Sequence, residues 1–255
     1  MAGDDVWDGA VYLNKPGVKE AAEINGRTIK RALVEAGIPE SKFPTLDVLE
    51  VGAGVGTVTR HLTGFHSVHS IEPSRSMISV LSKQVEGLDN VTWAMHEFGP
   101  TSAAQFDRGE EMPSPIESDP ERKLAPPRKR FDVAVATLVA HHVGTLKPFF
   151  EGVLSVLKPG GLFILIEFRH GDDGEDISAV FHVKEEPKNE PVEDWDQGVI
   201  TGNQFRTTPT KAQLGGLLTK YGFTGVGDMD GEGVPAFRLE RGPVPTLVVW
   251  GRRPE

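Results

Sequence analysis

Three short stretches of this chain hold residue types that could do chemistry together. The first, Leu49-Glu50-Val51-Gly52-Ala53-Gly54-Val55-Gly56, runs from an apolar segment into a carboxylate and three closely spaced glycines. Glycine accepts positive φ and lets a ligand approach the backbone closely. A helix start behind such a loop offers unpaired N–H groups and a partial positive charge to an anion. The loop therefore predicts a nucleotide-like or carboxylate-bearing cofactor. Its spacing narrows the choice. A dinucleotide turn needs G-x-G-x-x-G, but Thr57 stands at the third position after Gly54 and the last glycine is Gly56. A nicotinamide oxidoreductase fails on that spacing.

The second stretch ends a short β-branched run in Glu72, followed by Pro73, Ser74 and Met77. A carboxylate there has two oxygens that accept two hydrogen bonds together. The third is the pair His141-His142 behind the run Phe131 to Thr137. Histidine changes charge near neutral pH and can act as a general base. It can equally bond a backbone carbonyl behind the strand, and both roles stay open for either residue. With no cysteine in the chain, disulfides, Cys-ligated zinc and thiolate nucleophiles are excluded, and no metal is expected.

These groups need a scaffold, and the patterning supplies an α/β one. Val18, Ala22, Ile29, Leu33 and Ala36 recur at helical spacing, so a helix precedes the core. Leu46–Val51, Val68–Ile71, Val91–Met95, Phe131–Thr137 and Leu162–Phe168 read as strands alternating with helices near Thr57–Leu62, Ser74–Gln84 and Leu146–Leu157. Lys211–Lys220 reads as a last helix, followed by strand-like runs at Thr224–Val226 and Pro245–Trp250. The expected fold is a Rossmann-like, seven-stranded, mostly parallel sheet with an antiparallel C-terminal edge strand and helices on both faces.

A single domain over residues 1–255 is expected, with a helical cap at 1–45 and a cofactor-binding half at 46–98. A proline-rich surface insertion follows at 99–130, then core strands at 131–170, an acidic lid or connector at 171–206 and the C-terminal elements at 207–255. The formal charge is −10, and Gly171–Asp196 carries ten acidic residues against two lysines, a net −8. An acidic chain repels phosphate backbones, so nucleic acid is not expected as a partner. No apolar run is long enough to span a bilayer, and the N-terminus lacks an apolar targeting segment. A cytoplasmic monomer or homodimer is expected.

The order of these pieces resembles the class I S-adenosylmethionine-dependent methyltransferases, from about Leu46 to Phe168. The E-x-G-x-G-x-G loop is similar to that family's first motif, and Leu157-Lys158-Pro159-Gly160-Gly161 to its turn into strand five. His141-His142 resembles the histidine pair of the small-molecule, ubiquinone-biosynthesis-like branch. The resemblance implies S-adenosylmethionine as cofactor, with S-adenosylhomocysteine as product. It implies that Glu50 helps hold the methionine ammonium, that Glu72 grips the ribose hydroxyls and that Met77 packs on adenine. It also places Glu97, with the Phe98 backbone, at the adenine amino group. Gly52, Ala53, Gly54, Gly56, Pro73 and Thr137 complete the implied cofactor site.

The expected function is in-line methyl transfer to oxygen or nitrogen of a small organic molecule, with His141 or His142 as base. The alternatives are a protein or peptide methyltransferase, or a catalytically silent cofactor-binding protein of the same fold. By position, Trp7 and Tyr12 before the core, and His182, Trp195, Phe205 and Arg206 after strand five, are the candidate substrate contacts.

Overall fold

The computed structural model describes residues 7–96, 99, 130–169, 195, 208–235 and 243–255. The insertion 100–129 and most of the acidic stretch 171–206 lie outside the described residues. Seven strands form one sheet in the order β3-β2-β1-β4-β5-β7-β6. They are β1 Asp47–Val51, β2 Ser67–Glu72, β3 Val91–Met95, β4 Phe131–Thr137, β5 Leu157–Phe168, β6 Thr224–Asp230 and β7 Thr246–Arg252. The first five run parallel, and β7 pairs antiparallel with both β5 and β6.

Side chains of a strand alternate between faces, and here both faces are apolar. Val133, Val135, Leu162, Ile164 and Ile166 point to one face, where Ile29, Ala32 and Leu33 of helix α2 (Val18–Glu35) cover them. Ala134, Ala136, Phe163 and Leu165 point to the other. That face is covered by α3 (Arg75–Gln84), α4 (Leu146–Val156) and α5 (Lys211–Lys220). Helices thus lie on both faces, as the continuous apolar runs require.

Three features differ in detail from the patterning. The helix expected at Thr57–Leu62 is a short 3-10 turn, Thr59–His61. Thr57, Val58 and Thr59 are β-branched and propagate a helix poorly, and Gly64 at φ 90° ends the turn. Second, the antiparallel strand β7 lies one place in from the edge, with β6 outside it. The sequence of β7 suits burial, since Leu247, Val248 and Val249 are wholly buried, whereas β6 is largely exposed and carries Asp228 and Asp230. Charges on an edge strand discourage further pairing. Third, a helix absent from the periodic reading, α1 (Gly9–Leu13), precedes α2, with the Asp8 carboxylate accepting from the Val11 N–H at 2.9 Å as its cap.

The chain leaves β1 towards β2 on one side and finds β4 on the other. In open α/β sheets, ligands bind at this switch point, outside the carboxyl ends of the strands. The glycine loop after β1, Glu72 at the end of β2 and the turn after β4 sit there.

Candidate active site

The glycine loop turns directly off β1. Gly52 has φ 72°, and a Cβ on it would stand 2.5 Å from a methyl of Val139. A side chain there would drive the β1 and β4 loops apart. Gly54, at φ 55°, differs: a Cβ would meet nothing within 4 Å. Its N–H donates to Glu72 Oε2 at 2.9 Å, and the Ser74 N–H donates to Glu72 Oε1 at 2.9 Å. The Glu72 carboxylate therefore ties the loop to the first turn of α3. Ser74 caps that helix by accepting from the Met77 N–H at 3.1 Å, which fixes the buried Met77 behind it.

Glu50 lies deeper, 2% exposed, and its Oε2 accepts from Thr59 Oγ1 at 2.6 Å and Ser70 Oγ at 2.7 Å. Burial pushes its carboxyl from the ordinary 4.5 up to about 7, against the pull of those two hydroxyls, and the neighbouring Glu72 adds to the rise.

At the end of β4, Leu138 adopts φ 55°, a strained conformation for a side-chain-bearing residue. It is held by its N–H bond to the Ile166 carbonyl at 2.8 Å. This bend lays Val139 on Gly52 and delivers Ala140 and His141 to Glu167 on β5. Glu167 is 1% exposed. Its Oε1 accepts from the Ala140 N–H at 2.7 Å and the His141 N–H at 3.3 Å, and its Oε2 meets His141 Nδ1 at 2.8 Å. A carboxylate accepts only, so Nδ1 is the donor in this bond. An imidazole held through one ring nitrogen has its plane and orientation fixed. The alternative role, a bond to a backbone carbonyl, is not the one His141 makes through Nδ1. The His142 ring lies 4.1 Å from that of His141, centroid to centroid, and is more exposed.

Helix α1 crosses above these groups. The Gly9 N–H donates to Ser76 Oγ at 2.8 Å, and a Cβ on Gly9 would stand 2.6 Å from the Ser76 carbonyl oxygen. Trp7 meets the His142 ring edge-on at 5.4 Å and Tyr12 at 6.3 Å. Burial and the nearby Glu72 charge push the Tyr12 phenol up to about 12, so it stays a neutral O–H. The N-terminal segment thus meets α3 through Gly9 and the turn after β4 through Trp7.

Glu50, Gly52, Ala53, Gly54, Gly56, Glu72, Pro73, Met77 and Thr137 cluster along the carboxyl ends of β1, β2 and β4, with His141, His142, Trp7 and Tyr12 close by. Trp195 is buried among the residues of the larger apolar cluster. Glu97, Phe98, His182, Phe205 and Arg206 lie outside the described residues. Glu167 was not anticipated. A lone carboxylate inside Leu162-Phe163-Ile164-Leu165-Ile166-Glu167-Phe168 was a signal, because a buried acid must find donors.

A sheet of this order, with its last strand antiparallel and a glycine loop at the switch point, is the frame of class I S-adenosylmethionine-dependent methyltransferases. The family model described as methyltransferase domain matches residues 19–227, and the chain belongs to that family of enzymes. It is 28% identical over 196 residues to a highly reducing polyketide synthase of Aspergillus aculeatus, covering 75% of this chain and 7% of the synthase. It is 27% identical over 128 residues to a sterol 24-C-methyltransferase of Gibberella zeae, 50% of this chain and 29% of that protein. A demethylmenaquinone methyltransferase of Tropheryma whipplei is 28% identical over 126 residues, 49% and 42% of the two chains. The chain therefore spans less than half the length of each of these relatives.

Among solved structures, the CurJ carbon methyltransferase superposes with a TM-score of 0.57 at 17% identity, over 96% of this chain and 58% of that one. A magnesium protoporphyrin IX methyltransferase from Synechocystis with bound S-adenosylhomocysteine gives 0.55 at 14% identity, over 93% and 85%. These likenesses show the fold. No helix among the described residues is long and apolar enough to cross a membrane.

Proposed function

We propose that the chain transfers the methyl group of S-adenosylmethionine to a small organic acceptor that arrives protonated at its reacting atom, with His141 as the base. The His141–Glu167 pair carries this reading. The cleft residues fit the cofactor on three observations. Gly54 faces open space, the Glu72 carboxylate stands at the strand end beside it, and Thr137 Oγ1 at the end of β4 is buried with no hydrogen-bond partner among the described residues. Glu50, Gly52, Ala53, Gly54, Gly56, Glu72, Pro73, Met77 and Thr137 would hold it. Bound there, S-adenosylmethionine supplies a methyl carbon activated by a positive sulfonium.

The chain's own residues then have three tasks. Glu167 holds His141 in one tautomer and one orientation. His141 Nε2 takes the acceptor's proton, before methyl transfer where the reacting atom is an ammonium and as the new bond forms where it is a hydroxyl, and later loses it to solvent. Helix α1, with Trp7 and Tyr12, roofs the site and keeps water from it, a proximity and desolvation contribution. An alcohol, phenol or ammonium acceptor needs such a base, whereas a carboxylate would not.

A second reading, a carbon as the methylated atom, is favoured by two of the similar proteins being named as C- or carbon methyltransferases. It uses the same base. Radiolabelled S-adenosylmethionine offered with phenols, amines, carbon acids and basic peptides separates these acceptors by product mass. His141→Gln should lower kcat about 10²- to 10⁴-fold while calorimetry finds cofactor affinity unchanged. Full activity in that variant would sink the assignment of the base, and absence of cofactor binding by the parent chain would sink the whole reading.

A further inference from the structure

Among the described residues, Glu50 is the more deeply buried of the two strand-end acids, Glu50 and Glu72, that the proton transfer above does not use. Its two hydroxyl donors come from different elements. Ser70 stands directly beside it in the β1–β2 register, and Thr59 comes from the 3-10 turn that replaces the first crossover helix. Both are wholly buried. Both donate to the same oxygen, Oε2, at 2.7 and 2.6 Å. Two short bonds to one oxygen fix the plane of the carboxyl group. They also favour its charged form, which burial opposes. The charged neighbour is Glu72 at the end of β2, which repels it and is itself faced by the neutral Tyr12 from α1.

We propose that Thr59 and Ser70 are positioning residues for the cofactor: their hydroxyls orient the Glu50 carboxyl and favour its ionised form towards the cationic methionine end of S-adenosylmethionine. This rests on the reading that the glycine loop holds that cofactor. A cation beside Glu50 stabilises its charged form, so a protonated Glu50 must lose its proton as the cofactor binds. With the carboxyl raised to about 7, affinity should climb as pH rises through neutrality and level off above it. Fewer hydroxyl donors move that climb to higher pH.

The test is calorimetric titration of the full chain with S-adenosylmethionine from about pH 5 to about pH 9, alongside carbon-13 spectra of the Glu50 carboxyl in the free protein. Thr59→Val should shift both midpoints upward by roughly one unit and weaken binding about fivefold at neutral pH. Thr59→Ser should restore the parent behaviour, and Ser70→Ala should repeat the shift independently if Thr59→Val fails to fold. Glu50→Gln should bind weakly with no dependence on pH. Equal weakening at every pH in Thr59→Val and Ser70→Ala would mark a merely structural role and overturn the proposal. Absence of binding by the parent chain would overturn the cofactor reading as well, which separates the two failures.

Discussion

Glu167 receives three N–H donors from one short loop, two from the backbone and one from the His141 ring. Its replacement by alanine would leave those donors buried and unanswered. Each lost partner costs about 1–3 kcal/mol, so Glu167→Ala should lower the unfolding free energy by several kcal/mol. Glu167→Gln keeps an acceptor for the backbone pair but presents an amide N–H to Nδ1. That favours the other tautomer, with the lone pair on Nδ1 and Nε2 no longer a base. Glu167→Gln should therefore unfold near the parent midpoint yet lose activity about as far as His141→Gln. An active, folded Glu167→Gln would disprove the orienting role. At this scale the sequence was legible where spacing is local. Glu50 and Glu72 announce themselves by closing strands next to a glycine loop and a proline turn. Glu167 and His141 are 26 residues apart, and Thr59 and Ser70 reach Glu50 from 9 and 20 residues away. Only the sheet brings them together.

Helix α1 has five residues, shorter than the window in which helical periodicity can be read. Its docking depends on Gly9 being without a side chain. The backbone lies so close to Ser76 and Val80 of α3 that a Cβ would overlap them, with Val80 Cγ2 at 3.0 Å and the Ser76 carbonyl oxygen nearer still. Gly9→Val should push α1 off α3 while leaving the sheet and α2 in place, since α2 is anchored independently by Ile29, Ala32 and Leu33. Limited proteolysis read by mass spectrometry should then cut between residues 9 and 17 much faster in Gly9→Val than in the parent. Acceptor KM should rise more than kcat falls, because His141 and Glu167 are untouched. Equal cleavage rates would show that α1 tolerates the side chain and does not roof the site as described. The same scale explains the missing crossover helix. Its β-branched residues read as a helix by apolar spacing, but Thr59 is committed to Glu50, and His61 packs where a Cβ on Gly26 of α2 would stand, 2.4 Å from His61 Cβ.

For the molecule as a whole, strand number and the parallel core were legible because two-sided burial writes continuous apolar runs. The positions of β6 and β7 were less so: an antiparallel pair after a parallel sheet can add in either order. Burial decides it, because Leu247, Val248 and Val249 can be covered on both sides only between β5 and another strand. The consequence is that a late segment of this chain lies inside the sheet. β7 pairs with β5 from Leu162↔Arg252 to Phe168↔Thr246, and β5 carries Glu167. Truncation after Pro243 would strip β5 of a neighbour along that length and expose its edge and both apolar faces. At about 1.5–3 kcal/mol for each buried Val or Leu side chain, losing Leu247, Val248 and Val249 alone is comparable with the ~5–15 kcal/mol by which a domain is stable. The truncated chain should lack a cooperative thermal transition, bind a hydrophobic dye and fail to bind S-adenosylmethionine, although every glycine-loop residue is still present. By contrast, Asp228→Asn with Asp230→Asn on the edge strand β6 should leave the transition within a few degrees of the parent, since those exposed ion pairs contribute about 0–1 kcal/mol each. A truncated chain that still melts cooperatively and binds the cofactor would show that β1 to β5 fold alone, and that the inserted strand only decorates them.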